Sequence, residues 1–503
     1  MKHDATPHLK PRRPSSSPRN PGHSEATAMY NFRFQRRLLA ASAATLLLTP
    51  IAAASGPPVI DWLGRSIDSF LDAKNWDGGR VPGPGDVARF AQTDDPIVTV
   101  PLLFPPVQVR NLWFERGLTT IRAQGSPDTP GLRAHSPSAF DPGILVAGAS
   151  WPRLRFGASD PSVSTSSMTV GLGPAGPGRA ESPNTLTTLT VDDRLAIGDG
   201  ADGSLFGEWD ITAGPIAVGI GASGEIMLED GSIFSYDRFQ IGTTGTGLVT
   251  GVQETMADEL QVGLTESGFG ELSTQSLTVQ NGMDIGVLGT GTVTSFSTSV
   301  GGSVTLGLSR DFDFPDTIFG RGTWNTTGSS EIDGDLVINV FGDGEMVIAM
   351  PVNLVVNGEV LTYGFGDPSS SSVTFRLQSS GPSTPPLLQS DGRIQLPAIS
   401  VVPASSIFLT EGRRWVLADA GTTLTHGPLT LPPLPNDLAW RVTGPPALDD
   451  LVIEIVDASP PVFGDLNDDG IVDFVDLLFV MNLFGACPAS GPCPADLDGN
   501  DSV

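Results

Sequence analysis

The sequence predicts a mostly β chain: a parallel β-solenoid, β-helix-like, with a β-rich capping region and a small C-terminal α-helical calcium-loop module. Three observations predict it. Gly 60 and Pro 43 among 503 residues suit short strands joined by turns rather than helices. Glycine-containing pairs recur at near-constant spacing across residues 195–308. A twelve-residue stretch from Asp465 places oxygen side chains as a calcium loop requires. The hydrophobic fraction of 39% is enough to fill a sizeable core, and the length allows two or three domains.

Residues 1–54 read as an N-terminal extension and an export signal. Arg33, Arg36 and Arg37 precede an apolar run from Leu38 to Ile51, and Ala52-Ala53-Ala54 supplies small residues for cleavage after Ala54. The run is too short to span a bilayer stably, and no second run of spanning length follows, so no transmembrane anchor is expected in the mature chain. Residues 1–28 are polar and Pro/Ser-rich, unlike a leader, which makes Met29 an alternative start to Met1. An exported protein, secreted or at the cell surface, is the expectation.

The chain holds 28 Lys+Arg against 56 Asp+Glu, a net charge of −28. Residues 1–54 carry eight basic and two acidic residues, so the remainder sits near −34. Such a surface disfavours nucleic acid and anionic membrane and attracts divalent cations.

Residues 55–194 form an N-terminal β-rich region with loops. It opens on Asn75-Trp76-Asp77-Gly78-Gly79 and Val81-Pro82-Gly83-Pro84-Gly85-Asp86, turn formers between aromatic anchors. Strand-like runs follow at Ile97 to Val100 and Leu112 to Phe114.

Residues 195–308 carry the repeat. The pairs Ile197-Gly198, Val218-Gly219, Ile241-Gly242, Val262-Gly263, Ile285-Gly286 and Leu306-Gly307 are spaced 21, 23, 21, 23 and 21 residues apart. A second glycine turn and an alternating strand follow most pairs, as in Gly224-Glu225-Ile226-Met227-Leu228. One coil cannot bury both sides of its strands. Coils of about 22 residues therefore stack at roughly 4.8 Å and share an inner column of Ile, Val and Leu. Glycine at fixed positions is what the corners need, by positive φ or close backbone approach. A sandwich of short hairpins is the alternative, and it does not demand this register.

Residues 309–457 keep strand patterns, such as Leu336 to Val340 and Leu451 to Val456, but lose the period; they are expected to cap the open end of the stack. Residues 458–463 form a linker.

Residues 464–503 hold the calcium chemistry. Asp465, Asn467 and Asp469 fall at loop positions 1, 3 and 5, with Gly470 at the turn. Ile471 offers its carbonyl, Asp473 stands at position 9 and Asp476 closes the loop. Six to eight oxygens around one point suit Ca²⁺. A helix is predicted from Phe474 to Phe484. A second loop starts with Asp496, Asp498 and Asn500, but Val503 comes before its positions 9 and 12, and Asp501 replaces its glycine. Cys487 and Cys493, six apart, predict a small-loop disulfide in an oxidising compartment, with two free thiols as the alternative.

Two loop–helix repeats closing on Asp resemble type I dockerin over residues 464–503. The resemblance implies Ca²⁺ in each loop and docking onto a cohesin-like partner, often in polysaccharide-degrading systems. Phe474 and Val475 depart from the small hydroxyl residues usual at loop positions 10 and 11. The solenoid repeat and the Asn75-Trp76 opening are similar to exported autotransporter-like and PEP-CTERM-associated surface proteins, which implies a β-solenoid of unassigned activity.

No catalytic residue is assigned. His135 and His426 are the histidines beyond the leader, in Pro/Gly/Ser-containing contexts, and no G-x-S-x-G elbow or H-E-x-x-H motif occurs. Glycoside hydrolysis needs two carboxylates about 5–9 Å apart. Stacking could bring Glu225 and Glu271 to one face, as it could the solvated carboxylates Glu229, Asp230, Asp258, Glu259 and Glu266. Arg238 is the clear basic residue in the repeats, which disfavours a lyase there. The reading is a structural or adhesive β-solenoid with a calcium-binding attachment module. The alternative is a polysaccharide-degrading enzyme or accessory subunit, and a third is glycan binding at a cell-surface polysaccharide through Trp76, Trp151 and Trp209.

Overall fold

Each turn of the chain lays strands on three parallel sheets, termed faces A, B and C, in the computed structural model. The structure describes residues 57–458 apart from short internal stretches, together with Phe474, Leu477, Leu478 and Met481. All lie in one unit, Pro57–Val503. In the repeats, single runs bend around all three faces: Gly224–Ile241 crosses face B, then C, then A. Thr246–Val262 and Phe269–Ile285 follow in the same order, each parallel to the run before.

Alternation decides which side chains enter the core. Gly203–Ala213 alternates buried and half-buried along its whole length. On face A one inner column runs Leu195, Ile216, Phe239, Leu260, Met283 and Val304. A second runs Ile197, Val218, Ile241, Val262, Ile285 and Leu306. All twelve are buried. These are the apolar members of the glycine pairs, so the repeat marks one rung per coil.

The paired glycines make the corners. Gly198, Gly219, Gly242, Gly263, Gly286 and Gly307 all have φ between +67° and +75°. A Cβ on Gly242 would lie 2.2 Å from the Phe269 carbonyl oxygen of the next coil. Both constraints exclude an ordinary side chain.

Face C carries polar groups inward, and the coil satisfies them. Thr255 Oγ1 donates to Thr274 Oγ1 at 3.1 Å, and Ser235 Oγ donates to the Gly214 carbonyl at 2.7 Å. Such pairing removes most of the penalty of burying a hydroxyl.

The ladder extends on both sides of residues 195–308. Face A begins with Val59–Asp61, Val87–Phe90 and Asn111–Phe114. It continues through Leu336–Val340, Val360–Tyr363, Ile394–Leu396 and Leu424–His426. Residues 309–457, expected to form the cap, thus contain further turns of the same stack. Corner loops lengthen there: Leu306 pairs with Ile338, a step of 32 residues instead of 21. Rungs stay aligned while the period vanishes from the sequence.

Both ends are closed. At the start, Trp62, Phe70, Trp76 and Phe90 are buried together, with Trp76 edge-on to Phe70 at 4.9 Å. Trp76 Nε1 donates to the Phe70 carbonyl at 2.7 Å. The Asn75-Trp76 segment therefore folds in as a plug. Its continuation closes on Asp86, which accepts from Arg80 at 2.6 and 2.8 Å and from the Gly83 amide at 2.8 Å. The guanidinium of Arg80 is the main reason the Asp86 pKa is lowered. At the other end Leu438–Thr443 and Asp450–Asp457 form an antiparallel pair, and Asp450–Asp457 runs antiparallel to Arg414–Ala420. Leu451, Ile453 and Ile455 fill the last layer of core. Reversing strand direction ends the face C ladder, which would otherwise offer a free edge at Arg414–Ala420.

Candidate functional site

Ala54, the calcium-loop residues Asp465, Asn467, Asp469, Ile471, Asp473 and Asp476, the second-loop residues Asp496, Asp498 and Asn500, and Cys487 and Cys493 lie outside the described residues. Phe474, Leu477, Leu478 and Met481 have helical backbone, fall at i, i+3, i+4 and i+7, and are exposed. Among the described residues no group of three or more His, Cys, Asp or Glu is placed to hold a metal ion. No helix among them is long and apolar enough to cross a membrane.

The aromatic reading needs correction. Trp76 and Trp209 are core residues, not sugar platforms. Trp209 lies edge-on to Phe156 at 5.4 Å, and its Nε1 donates to the Phe206 carbonyl at 2.9 Å. Strand alternation turns both indoles inward, where their area is worth most. Trp151 is 51% exposed, at φ +53° in the turn before Arg153–Gly157.

Glu225 and Glu271 do share the outer surface of face B. Leu248 stands between them, so they are two rungs apart, roughly 9–10 Å at the strand spacing. Arg238 pairs with Glu259 one rung on, at 3.0 Å. His135 follows the strand Leu132–Ala134 near one end, and His426 closes Leu424–His426 near the other, so the ladder holds them far apart.

Charge divides along the stack. Residues 57–194 hold 12 Lys/Arg against 14 Asp/Glu, whereas residues 195–458 hold 8 Arg against 32 Asp/Glu. Four of the twelve, Arg122, Arg153, Arg155 and Arg179, stand on face B. Arg153-Leu154-Arg155 turns both arginines outward and Leu154 inward, and Arg179-Ala180-Glu181 repeats the pattern one rung later. Arg122, on the preceding strand, pairs in register with Gly157 and lies over it, the added-Cβ distance to its side chain being 3.1 Å. Glu181, 5% exposed, sits at the centre. Arg155 Nη2 and Nε donate to its Oε2 at 2.8 and 3.1 Å. Arg179 Nε lies 2.8 Å from Oε1, and Arg153 4.0 Å from it. The Arg179 guanidinium also rests over Phe206, 5.1 Å from the ring centre. The three arginines keep 36–47% of their side-chain surface. One carboxylate against four guanidinium groups leaves a positive ladder on successive rungs.

The acidic counterpart is the corner between faces B and C. Glu208, Asp210, Asp230 and Glu254 line a shallow depression of about 280 Å³ with Leu186, Gln253 and Ser232. Asp210 accepts from the Ser232 amide at 3.1 Å and from its hydroxyl at 2.7 Å.

Among the described residues two carboxyls are held above their ordinary range. Asp284 stands on the outer side of face A between Gln261 and Thr305. Loss of hydration is the main cause, and hydrogen bonds from Thr305 and Gln261 oppose it. Asp419 faces Asp450 directly across the cap. Burial raises its pKa first, then the hydrogen bond and charge of Asp450 and the charge of Asp449.

Arg122, Arg153, Arg155, Arg179 and Glu181 were missed from sequence. A signal exists: Arg153-x-Arg155 and Arg179-x-Glu181 alternate identically, and Arg155 and Glu181 are 26 residues apart. It is hidden because the coils before residue 195 vary in length. No protein-family model, curated protein or solved structure matches this chain.

Proposed function

We propose that this chain is an exported structural or adhesive β-solenoid that attaches to a partner through a C-terminal calcium-binding, dockerin-type module. The observation that carries the reading is the closed rod. Its inner columns are filled by side chains, and a plug and a reversed hairpin seal its ends. A solid rod offers only its outer faces and termini for interaction. The calcium-loop register at Asp465, Asn467, Asp469, Ile471, Asp473 and Asp476 supplies one such terminus. The apolar row Phe474, Leu477, Leu478 and Met481 supports a docking role for that terminus.

Calcium titration of the full chain by calorimetry tests the module. Saturable binding that is lost in Asp465→Ala and Asp476→Ala supports it. No heat above dilution overturns it, because ligand binding in such a loop couples to its folding. Assay of the same preparation on a polysaccharide panel tests the alternative reading: sustained release of reducing ends would make the chain a glycoside-acting enzyme.

A further inference from the structure

The geometry points to an anionic-polysaccharide site on face B, built by Arg122, Arg153, Arg155 and Arg179, that takes uronate carboxylates. Four observations carry it. The arginines occupy three successive rungs, from Leu118–Gln124 through Arg153–Gly157 to the start of Gly178–Asp199. Rungs repeat at roughly 4.8 Å, close to the length of one pyranose unit, so a linear chain along the rod meets a guanidinium at each step. The face is an open sheet surface rather than a cavity, which suits a polymer better than a small anion.

The ligand chemistry is displayed by the protein itself. Glu181 Oε2 takes both Nε and Nη2 of Arg155, and its Oε1 lies 2.8 Å from Arg179 Nε, so guanidinium groups of two rungs share one carboxylate through charge-assisted contacts. Arg122 has no acidic partner at salt-bridge distance among the described residues, and Arg153 reaches Glu181 only at 4.0 Å. Arg155 and Arg179 still keep 36% and 40% of their side-chain surface. The site therefore retains charge after Glu181 is satisfied.

Apolar surface for a sugar ring adjoins it. Trp151, 51% exposed, lies two residues before Arg153. Phe206 continues the column that runs from Arg155 to Glu181 on the next rung. Finally, the balance of 12 basic to 14 acidic residues over 57–194 lets a local positive field survive. The strongly acidic coils beyond are screened within about 10 Å at ordinary salt.

The inference is independent of the calcium loop, and the experiment keeps them apart by working in chelator. Full-length protein is titrated with polygalacturonate in EDTA, with dextran sulfate, neutral xyloglucan and duplex DNA as parallel probes. Polygalacturonate is expected to bind, and xyloglucan not to. Arg122→Ser with Arg153→Ser leaves Glu181 paired to Arg155 and Arg179. That variant should lose about tenfold in affinity, with a shallower salt dependence and an unchanged melting curve. Trp151→Ala should weaken binding without altering the salt dependence. Absence of polygalacturonate binding, or equal affinity in the double variant, overturns the site. Tighter binding of dextran sulfate or DNA with the same arginine dependence overturns the uronate assignment.

Discussion

The indole of Trp76 meets that of Trp62 edge-on, with ring centroids 4.9 Å apart and planes at 80°. Trp62 in turn lies 5.7 Å from Phe90, which stacks on Phe114 at 4.9 Å. The aromatic column continues the core of the coils down to the first layer of the described residues. Trp76→Ala should therefore cost about 3–5 kcal/mol of unfolding free energy, the range for a large aromatic lost from a core. Urea denaturation followed by far-UV circular dichroism checks this. A loss under 1 kcal/mol would mean that the plug does not close the stack.

Gly242→Ala places a methyl group 2.2 Å from the Phe269 carbonyl at a φ of +67°. The backbone strain alone is of order 1–3 kcal/mol, and the clash adds to it. Because each coil touches mainly its neighbours, the loss should spread along the ladder rather than stay at one corner. Hydrogen exchange should show faster opening of residues 224–285. Gly412→Ala also sits at positive φ, +76°, but with open space around its Cβ, and should be milder.

Acid acts in opposite directions at Asp284 and Asp86. The folded pKa of Asp284 is raised, so folding takes up a proton there, and its cost is relieved as pH falls through the folded value. Asp284→Asn should stabilise the protein at pH 7, with the gain gone near the unfolded carboxyl value of about 3.9. The folded pKa of Asp86 is lowered. Its contribution is complete above the unfolded value of about 3.9 and disappears as pH falls through the folded one. Asp86→Asn should destabilise at pH 7 and become neutral in strong acid. Melting temperatures of the two variants against wild type, from pH 3 to 7, test both signs.

Removal of residues 438–457 strips the antiparallel strand from Arg414–Ala420, which still covers Leu388–Ser390, and leaves the outer edge of Arg414–Ala420 unpaired. The truncated rod should self-associate end to end. Light scattering during gel filtration would show species above the monomer, and a monodisperse monomer would refute the capping role.

Chelation of calcium should leave the strand signal of the coils in circular dichroism unchanged, because among the described residues no group of three or more His, Cys, Asp or Glu is placed to hold a metal ion. A cooperative loss of strand signal in EDTA would place a metal within the coils.

The sequence by itself determined the coil. Spacings of 21 and 23 residues, apolar–glycine pairs and two-residue alternation specify a rung, its corner and its inner side chain, and all six corner glycines adopt the expected left-handed φ. These are local properties, written within one coil. The direction in which Trp76 and Trp209 point was decided by tertiary structure, since an indole between turn residues reads equally as platform or plug until a neighbouring coil covers it. The full extent of the stack was decided there too, because corner loops of varying length erase the period without moving the rungs. So was the arginine ladder: Arg122, Arg155 and Glu181 are far apart in sequence, and only stacking at one strand spacing makes them neighbours.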